Sequence, residues 1–592
     1  MTTDQALNPR TETLATMQES LAGMMARLQA LVGWPALGQD DLVEIIAVYN
    51  NVAYLFLYLE SNERHIDFQP LLHWRDAFYD DPALDAALKD RLQHLRCSDP
   101  EAEESRLLFL AKLEEKQDET RRSGQKRLDA LNAGAKSLIS RIGQDQRGLL
   151  RRLGIDQENA SPQAVFYRIV SATEDTGKRE KLTAAWTVLR DRRQGELGGI
   201  VDSMVGELRD QSRARGHRTV LAETLQRCRV SEDQVEDFLA RYMEQSIVSY
   251  RELKEEIGAA VGASGDLIRD PIDHFGYYLR TVIGSRTVPQ LPLDGCLEFI
   301  TEIVRKVFGL TLSRSPASDL TLLTFRVLSA GQEIGTINCD LWDADGKALR
   351  ANHTKGIRNR TDWSGIVQRP VAHVSCRFTR DGSGADRITF QNAHSLFHEL
   401  GHAVNHLLIR KRISNQSGLD YLPLERLEYL SMWFEKWVFH PALADRLDLT
   451  DEERDGLELC RTIKRLEYRR TYLDRAVTAA LDFDLHRHTE GGLAESFARL
   501  DSRFGIGVHC ALGDFTAYFT WPMLQANPGA YFSYLWGAAD SAEKFAEFHE
   551  TDLNRIPTAT DAPDRFAVCF DFDLPTEPPP IQPAFAFYDG TR

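Results

Sequence analysis

Residues 394–406 read HSLFHELGHAVNH, which sets His394, His398, His402 and His406 at one four-residue interval. Residues four apart on an α-helix are rotated by about 400°, so their side chains share a face about 6 Å apart along the axis, near enough for two imidazoles to grip one ion. Leu396, Phe397, Ala403, Val404, Leu407 and Leu408 surround this polar stripe and no proline interrupts it, so one helix packed on a core is expected. Three overlapping histidine pairs meet the spacing. A hydrolytic metal site also needs a carboxylate, outside the ligand set, to take a proton from the attacking water. Only the middle pair has one: Glu399 follows His398, whereas Ser395 follows His394 and Ala403 follows His402. HELGH is thus an HExxH motif, with His398 and His402 as candidate Zn2+ ligands and Glu399 as candidate base. His394 and His406 read as ordinary helix-face histidines, with contacts to the outer part of the site or to substrate as their best functional case. Gly401 offers a small residue where another element or a substrate could approach closely.

Such a site needs a third protein ligand and a position left for water. The extended HExxHxxGxxH pattern is absent, since Leu408 stands six residues after His402. The next helical stretch, LERLEYLSMWFEKW, supplies Glu425, Glu428 and Glu435, and the last two are seven apart, two turns, and so share a face. Spacing alone leaves all three eligible.

A chain of 592 residues calls for two or more lobes, each with its own core. Its formal net charge of -17 argues against a surface that tracks phosphates, so no nucleic-acid partner is expected. The mean hydropathy is -0.36, no stretch reads as a bilayer-length apolar run, and the N-terminus has no basic-then-apolar opening. A cytoplasmic protein with no membrane partner is expected. The eight cysteines form no CxxC pair, so they suggest neither a disulfide scaffold nor a thiolate zinc site.

Helical periodicity runs from about residue 12 to 290. The texture changes at VPQLPLDG (288–295), and strands are expected within 319–390: LTLLTFRVLS, EIGTINCDLW closed by the turn DADGK, and RPVAHVSCRFTR joined through DGSGAD to RITF. Helices return at 391–412, at about 421–442 and through much of 450–550, and LPTEPPPIQP (574–583) reads as an extended surface strap. The division expected is a helical lobe over 1–290 and a catalytic lobe over 291–592, free to interleave in space.

SLFHELGHAVNHLL followed by SGLDYLPLERLEYLSMWFEKWVF resembles the thimet oligopeptidase and oligopeptidase A family of zinc metallopeptidases. In that family the HExxH helix is followed by a Ser-Gly loop and a helix with Glu, then Ser three later, Glu seven later and Trp nine later. Glu428, Ser431, Glu435 and Trp437 repeat this pattern, which by resemblance makes Glu428 the third ligand of one Zn2+ per chain. The similarity takes in EIGTINCDLWDADGK and RPVAHVSCRFTR upstream and ALDFDLHRH downstream, where Asp484 and His488 would support the core. It implies a mainly α fold: a two-lobed helical ellipsoid split by a deep central channel, with a small β-sheet beside the HExxH helix. It implies short unstructured peptides as substrates, and a monomer is the expected state.

The family closes a His- and Gly-Tyr-bearing loop and two further tyrosines over its substrate. WPMLQANPGAYFSYLW keeps Tyr531 and Tyr534, candidate donors to the oxyanion, but has Pro522 at the His position and Asn527 at the first Tyr position. Three readings therefore stand beside general peptide turnover: a dedicated precursor-processing peptidase, a weakened or inactive peptide-binding protein that keeps the fold, and metal chemistry on a small molecule.

Overall fold

Between residues 310 and 378, five runs rich in β-branched and aromatic residues pair into one sheet: β1 Leu310–Arg314, β2 Leu323–Ser329, β3 Gln332–Trp342, β4 His353–Arg358 and β5 Val371–Phe378. Their spatial order is β1-β2-β3-β5-β4, antiparallel except for the parallel β3/β5 pair. β2 and β3 are joined by Ala330 and Gly331, both at positive φ (48° and 79°), the geometry of a two-residue hairpin that matches strand twist. The central strands β3 and β5 are buried over most of their length, polar residues such as Asn338, Asp340, His373 and Ser375 included. Arg387–Ile388 pairs separately with Leu291–Pro292. The computed structural model describes residues 14–34, 36–62, 65–79, 81–155, 161–261, 271–315, 322–344, 347, 352–380, 386–549, 551–559 and 566–590. Most of the expected DADGK and DGSGAD turns lie outside the described residues.

The chain divides into two compact units. One takes residues 1–118, 290–449 and 544–575; the other takes 119–289, 450–543 and 576–592. This differs from a division into 1–290 and 291–592, and the reason is a shared core. In the first unit, apolar residues of the N-terminal helices, from Met17 to Leu113, form one cluster with Ile357, Trp363, Val371 and Ile413 of the sheet region. Helix α1 (Gln39–Ser61) packs against β4 and β5. Contrary to the sequence expectation, α1 is apolar and long enough to cross a membrane, with mean hydropathy 1.6, but 78% of that window is buried within the protein. It is a core helix whose apolar residues cover the sheet.

Three more helices complete the frame of this unit: α2 (Leu293–Phe308), α3 (Phe390–Leu408) and α4 (Tyr429–Glu435). The helix expected over 421–442 is broken. Pro423 and Pro441 bound it, and 3-10 turns at Leu424–Arg426 and Lys436–Phe439 leave only the seven residues of α4 as α-helix. Aromatic packing fixes α4 on α2: the Phe308 ring stands 5.8 Å from that of Trp433 and 5.7 Å from that of Phe434.

The second unit is built on the 37-residue helix Asp451–Arg487. Thr450 starts it with a reciprocal cap, its hydroxyl accepting from the Glu453 N–H and the Glu453 carboxylate from its own N–H. The 29-residue helix Glu232–Ala260 packs along it. Residues 575–580 carry no regular secondary structure, and the strap expected over 574–583 ends in a helix, Gln582–Asp589, with Pro583 in its first turn, where a missing N–H costs nothing.

Candidate metal centre

Thr389 caps α3, its hydroxyl accepting from the Asn392 N–H at 3.1 Å. α3 then crosses α4 at Gly401. A Cβ there would lie 2.7 Å from Ser431 Cα, 3.0 Å from the Leu430 carbonyl oxygen and 3.1 Å from Phe434 Cβ. Only glycine lets the two backbones approach this closely, and the approach delivers Glu428, at the N-cap of α4, to the histidines of α3.

Glu428 Oε2 is 3.4 Å from His398 Nε2 and 3.4 Å from His402 Nε2. One ligand atom from each of the three residues lies within 4.8 Å of the others. A tetrahedral ion bonded at about 2.0–2.1 Å separates its donors by about 3.4 Å. The group thus has the donor chemistry of a His-His-Glu zinc site, with both Glu428–His separations at the tetrahedral edge length. Buried His402 Nδ1 has no hydrogen-bond partner among the described residues.

The supporting contacts are specific. Glu435 Oε2 accepts from His398 Nδ1 at 2.9 Å, which fixes the tautomer and leaves Nε2 facing Glu428. The Ser431 hydroxyl reaches Glu428 Oε2 at 3.0 Å. Glu428 and Glu435 thus hold opposite nitrogens of one imidazole, which is why their two-turn spacing matters. His394 Nε2 lies 3.8 Å from Glu435 Oε1, so it stands behind that carboxylate, outside the ligand group. His406 Nε2 bonds the Arg358 carbonyl at 2.9 Å, and a Cβ on Gly356 would clash with its ring, so it anchors β4 against α3. Glu425 is buried with Arg426 3.6 Å away and is not part of the group.

Electrostatics favour a cation here. Burial alone would push the His398 imidazole down, but hydrogen bonds and charge from Glu428 and Glu435 raise it well above its usual value. Burial alone would raise both carboxylates. The histidines around Glu428 and Glu435 outweigh it and hold them well below the ordinary range. A buried pocket that keeps two carboxylates ionised is one that stabilises positive charge between them.

Glu399, one residue past His398, points toward β4. Thr354 Oγ1 lies 2.9 Å from its Oε2 and 2.8 Å from its backbone oxygen. Thr354 escaped the sequence reading because HTKGIR carries little strand pattern, and no signal in the sequence marks it.

Tyr531 and Tyr534 belong to the second unit, with ring centroids 5.2 Å apart. Their segment is tied down. Asp482 accepts from the N–H groups of Gly529 and Tyr531, each at 3.0 Å, the Asn527 side chain accepts from Arg227 at 2.7 Å, and the Pro528 carbonyl accepts from Thr224 at 2.8 Å. Pro522 opens the short helix Pro522–Ala526. Asp484 pairs with Arg499 at 2.6 Å and His488 bonds the Asp484 carbonyl at 2.8 Å, a supporting arrangement in the second unit.

A family model described as Peptidase family M3 matches residues 170–561. Oligopeptidase A of Escherichia coli (strain K12) is 24% identical over 290 residues, 47% of this chain and 43% of that protein. The organellar oligopeptidase A of Arabidopsis thaliana is 26% identical over 212 residues, 34% of this chain and 26% of that protein. The chain therefore spans less than half the length of these curated relatives. Among solved structures, PZ peptidase A with an inhibitor is similar in fold, with a TM-score of 0.55 at 12% identity over 98% of this chain and 96% of that one.

Proposed function

This chain belongs to peptidase family M3, and we propose that it is a zinc-dependent metallopeptidase that hydrolyses short unstructured peptides, with one Zn2+ held by His398, His402 and Glu428. The observation that carries the reading is the pair of 3.4 Å separations from Glu428 Oε2 to His398 Nε2 and His402 Nε2, the edges that a tetrahedral zinc ion requires. When bound, the ion would polarise the scissile carbonyl and acidify the attacking water. Glu399 takes the proton of that water on its carboxylate and later delivers it to the leaving amine nitrogen. Thr354 holds Glu399 Oε2 in place, Glu435 orients His398, and Ser431 steadies Glu428. Tyr534 donates a hydrogen bond to the developing oxyanion, with Tyr531 as the second candidate for that role.

Asn527 and Pro522 at the family's Tyr and His positions favour a dedicated substrate, such as one precursor peptide, over general peptide turnover. They equally motivate the second reading, a peptide-binding protein that retains the fold without turnover. We assign the protein to the cytoplasm as a monomer with no nucleic-acid or membrane partner. Metal analysis together with digestion of a mixed peptide library, with and without chelator and read by mass spectrometry, separates the readings. One zinc per chain with chelator-sensitive cleavage that Glu399→Gln abolishes is the expected result. Zinc at full occupancy with no cleavage supports the binding protein, and a Glu399→Gln protein as active as the wild type refutes the role of Glu399.

A further inference from the structure

The helix Asp451–Arg487 carries Tyr468, Arg475 and Asp482 at seven-residue intervals, so the three lie on one stripe. Asp482 is fully buried and clamps the backbone of Gly529 and Tyr531, each at 3.0 Å. Gly529 sits at φ +85°, and a Cβ on it would lie 2.9 Å from Leu221 Cδ1, so the turn requires glycine here. The clamp brings Tyr531 into the electrostatic neighbourhood of Arg475, two turns back along the same stripe. At the far end, the Arg475 guanidinium stands 5.0 Å over the Tyr468 ring, which is itself stacked on Tyr588 at 3.8 Å.

Arg461, Arg469 and Arg487 of the same helix each pair with a glutamate. Arg475 has no ion pair or hydrogen bond with any described residue, although protein surrounds it and it keeps part of its surface open. Its neighbours are phenols: Tyr468, Tyr531, Tyr242 and Tyr588. Asp474 projects about 100° round the helix and makes no ion pair with it; burial pushes this carboxyl up to about 6, with charge from Arg470 and Arg475 opposing. A guanidinium removed from much of its water with no carboxylate bonded to its fork leaves that fork unsatisfied, and the planar fork matches a carboxylate bidentately. Burial raises the Tyr531 phenol, with Arg475 opposing, so it remains a neutral O–H donor beside the guanidinium.

We propose that Arg475 and Tyr531 form a carboxylate-binding subsite that recognises a peptide through its C-terminal carboxylate or an acidic side chain. This rests on the reading of the protein as one that takes peptides, and it makes Arg475 a determinant of which peptides are taken.

The test measures binding of synthetic peptides of one apolar sequence to zinc-loaded Glu399→Gln protein by calorimetry at pH 7.5. Four forms are compared: free acid, C-terminal amide, and amides carrying one internal Glu or Gln. The expected result is at least tenfold tighter binding of a carboxylate form than of its neutral counterpart. Arg475→Gln should abolish the difference and Arg475→Lys should keep part of it. A preference for free acid over amide identifies the C-terminus as the source, and a preference for Glu over Gln identifies a side chain. Equal affinities in the arginine protein, no binding of any form, or a preference that survives in folded Arg475→Gln overturns the proposal. If Arg475→Gln does not fold, the four-peptide comparison and Arg475→Lys decide it, a preference unchanged by Lys counting against it. Chelator-sensitive cleavage by the wild type is scored in parallel. Protein that binds carboxylate peptides and cleaves none sinks the peptidase reading while sustaining the subsite.

Discussion

Gly401→Ala tests how the metal centre is assembled. The added Cβ would meet Ser431 Cα at 2.7 Å and the Leu430 carbonyl at 3.0 Å, both backbone atoms that no rotamer change can move. Ordinary contact between carbons needs about 3.5–4.0 Å, so α3 and α4 must part by roughly 1 Å. Glu428 rides on α4, and the same movement would stretch its 3.4 Å separations from His398 and His402 well past the tolerance of about 0.2 Å on a metal–ligand bond. Overpacking costs about 1–3 kcal/mol, while alanine returns about 1 kcal/mol of helix propensity. The net loss of stability is therefore small, but the loss of zinc affinity should be at least tenfold. Competition against a chelating dye measures the affinity, and melting with and without zinc measures the stability. Gly206→Ala, where nothing lies within 4 Å of the new Cβ, is the control and should bind zinc as the wild type does. A Gly401→Ala protein with wild-type zinc affinity would refute the claim that this crossing sets the ligand geometry.

Three further outcomes are expected. Thr354→Val removes the hydroxyl at Glu399 Oε2, so kcat should fall about tenfold while KM and zinc affinity stay unchanged; a drop in zinc affinity instead would mean that Thr354 supports the fold of α3. Glu435→Gln weakens the contact to His398 Nδ1 and should lower zinc affinity by about 10–100-fold, measured by chelator competition. His373 is fully buried with neither ring nitrogen hydrogen-bonded to any described residue, and burial, with positive charge from His353, Lys347, His65 and Lys355, lowers it to about 3. The unfolded chain binds this proton near pH 6.5 and the folded one near pH 3, so stability falls as pH drops through that window, by about 2 kcal/mol at pH 5 from this group alone. Denaturant titrations at pH 7.5 and 5 should show that slope, and His373→Gln should flatten it.

The HExxH ligands were legible because an α-helix converts a four-residue interval into proximity without help from the rest of the fold. Glu428 was not legible by spacing: it depends on how a proline-bounded, partly 3-10 segment meets α3, and the resemblance singled it out where spacing left Glu425 and Glu435 eligible as well. The role of Glu435 needed coordinates, because sequence cannot say that two acids two turns apart address opposite nitrogens of one ring. The grouping of the N-terminal 118 residues with the sheet was not legible for a related reason. Amphipathic periodicity announces that a helix has an apolar face but not which surface will cover it, and α1 covers the sheet.

The altered C-terminal segment shows what this distinction means for function. Its sequence records two polar groups missing at Pro522 and Asn527, which by itself argues only for loss. Asn527, Pro528, Gly529 and Tyr531 are each bonded to the helix Asp451–Arg487 or to residues 224–227, so the segment is held as a fixed part of the second unit. A segment fixed in this way can present a preorganised donor, and the residue in whose electrostatic neighbourhood it sets Tyr531 is an arginine that makes no ion pair with any described residue. If the four-peptide comparison finds no carboxylate preference, these substitutions keep only their first meaning, lost contacts to the substrate. If it finds one that depends on Arg475, the departure from the family pattern is a change in which peptides the protein accepts.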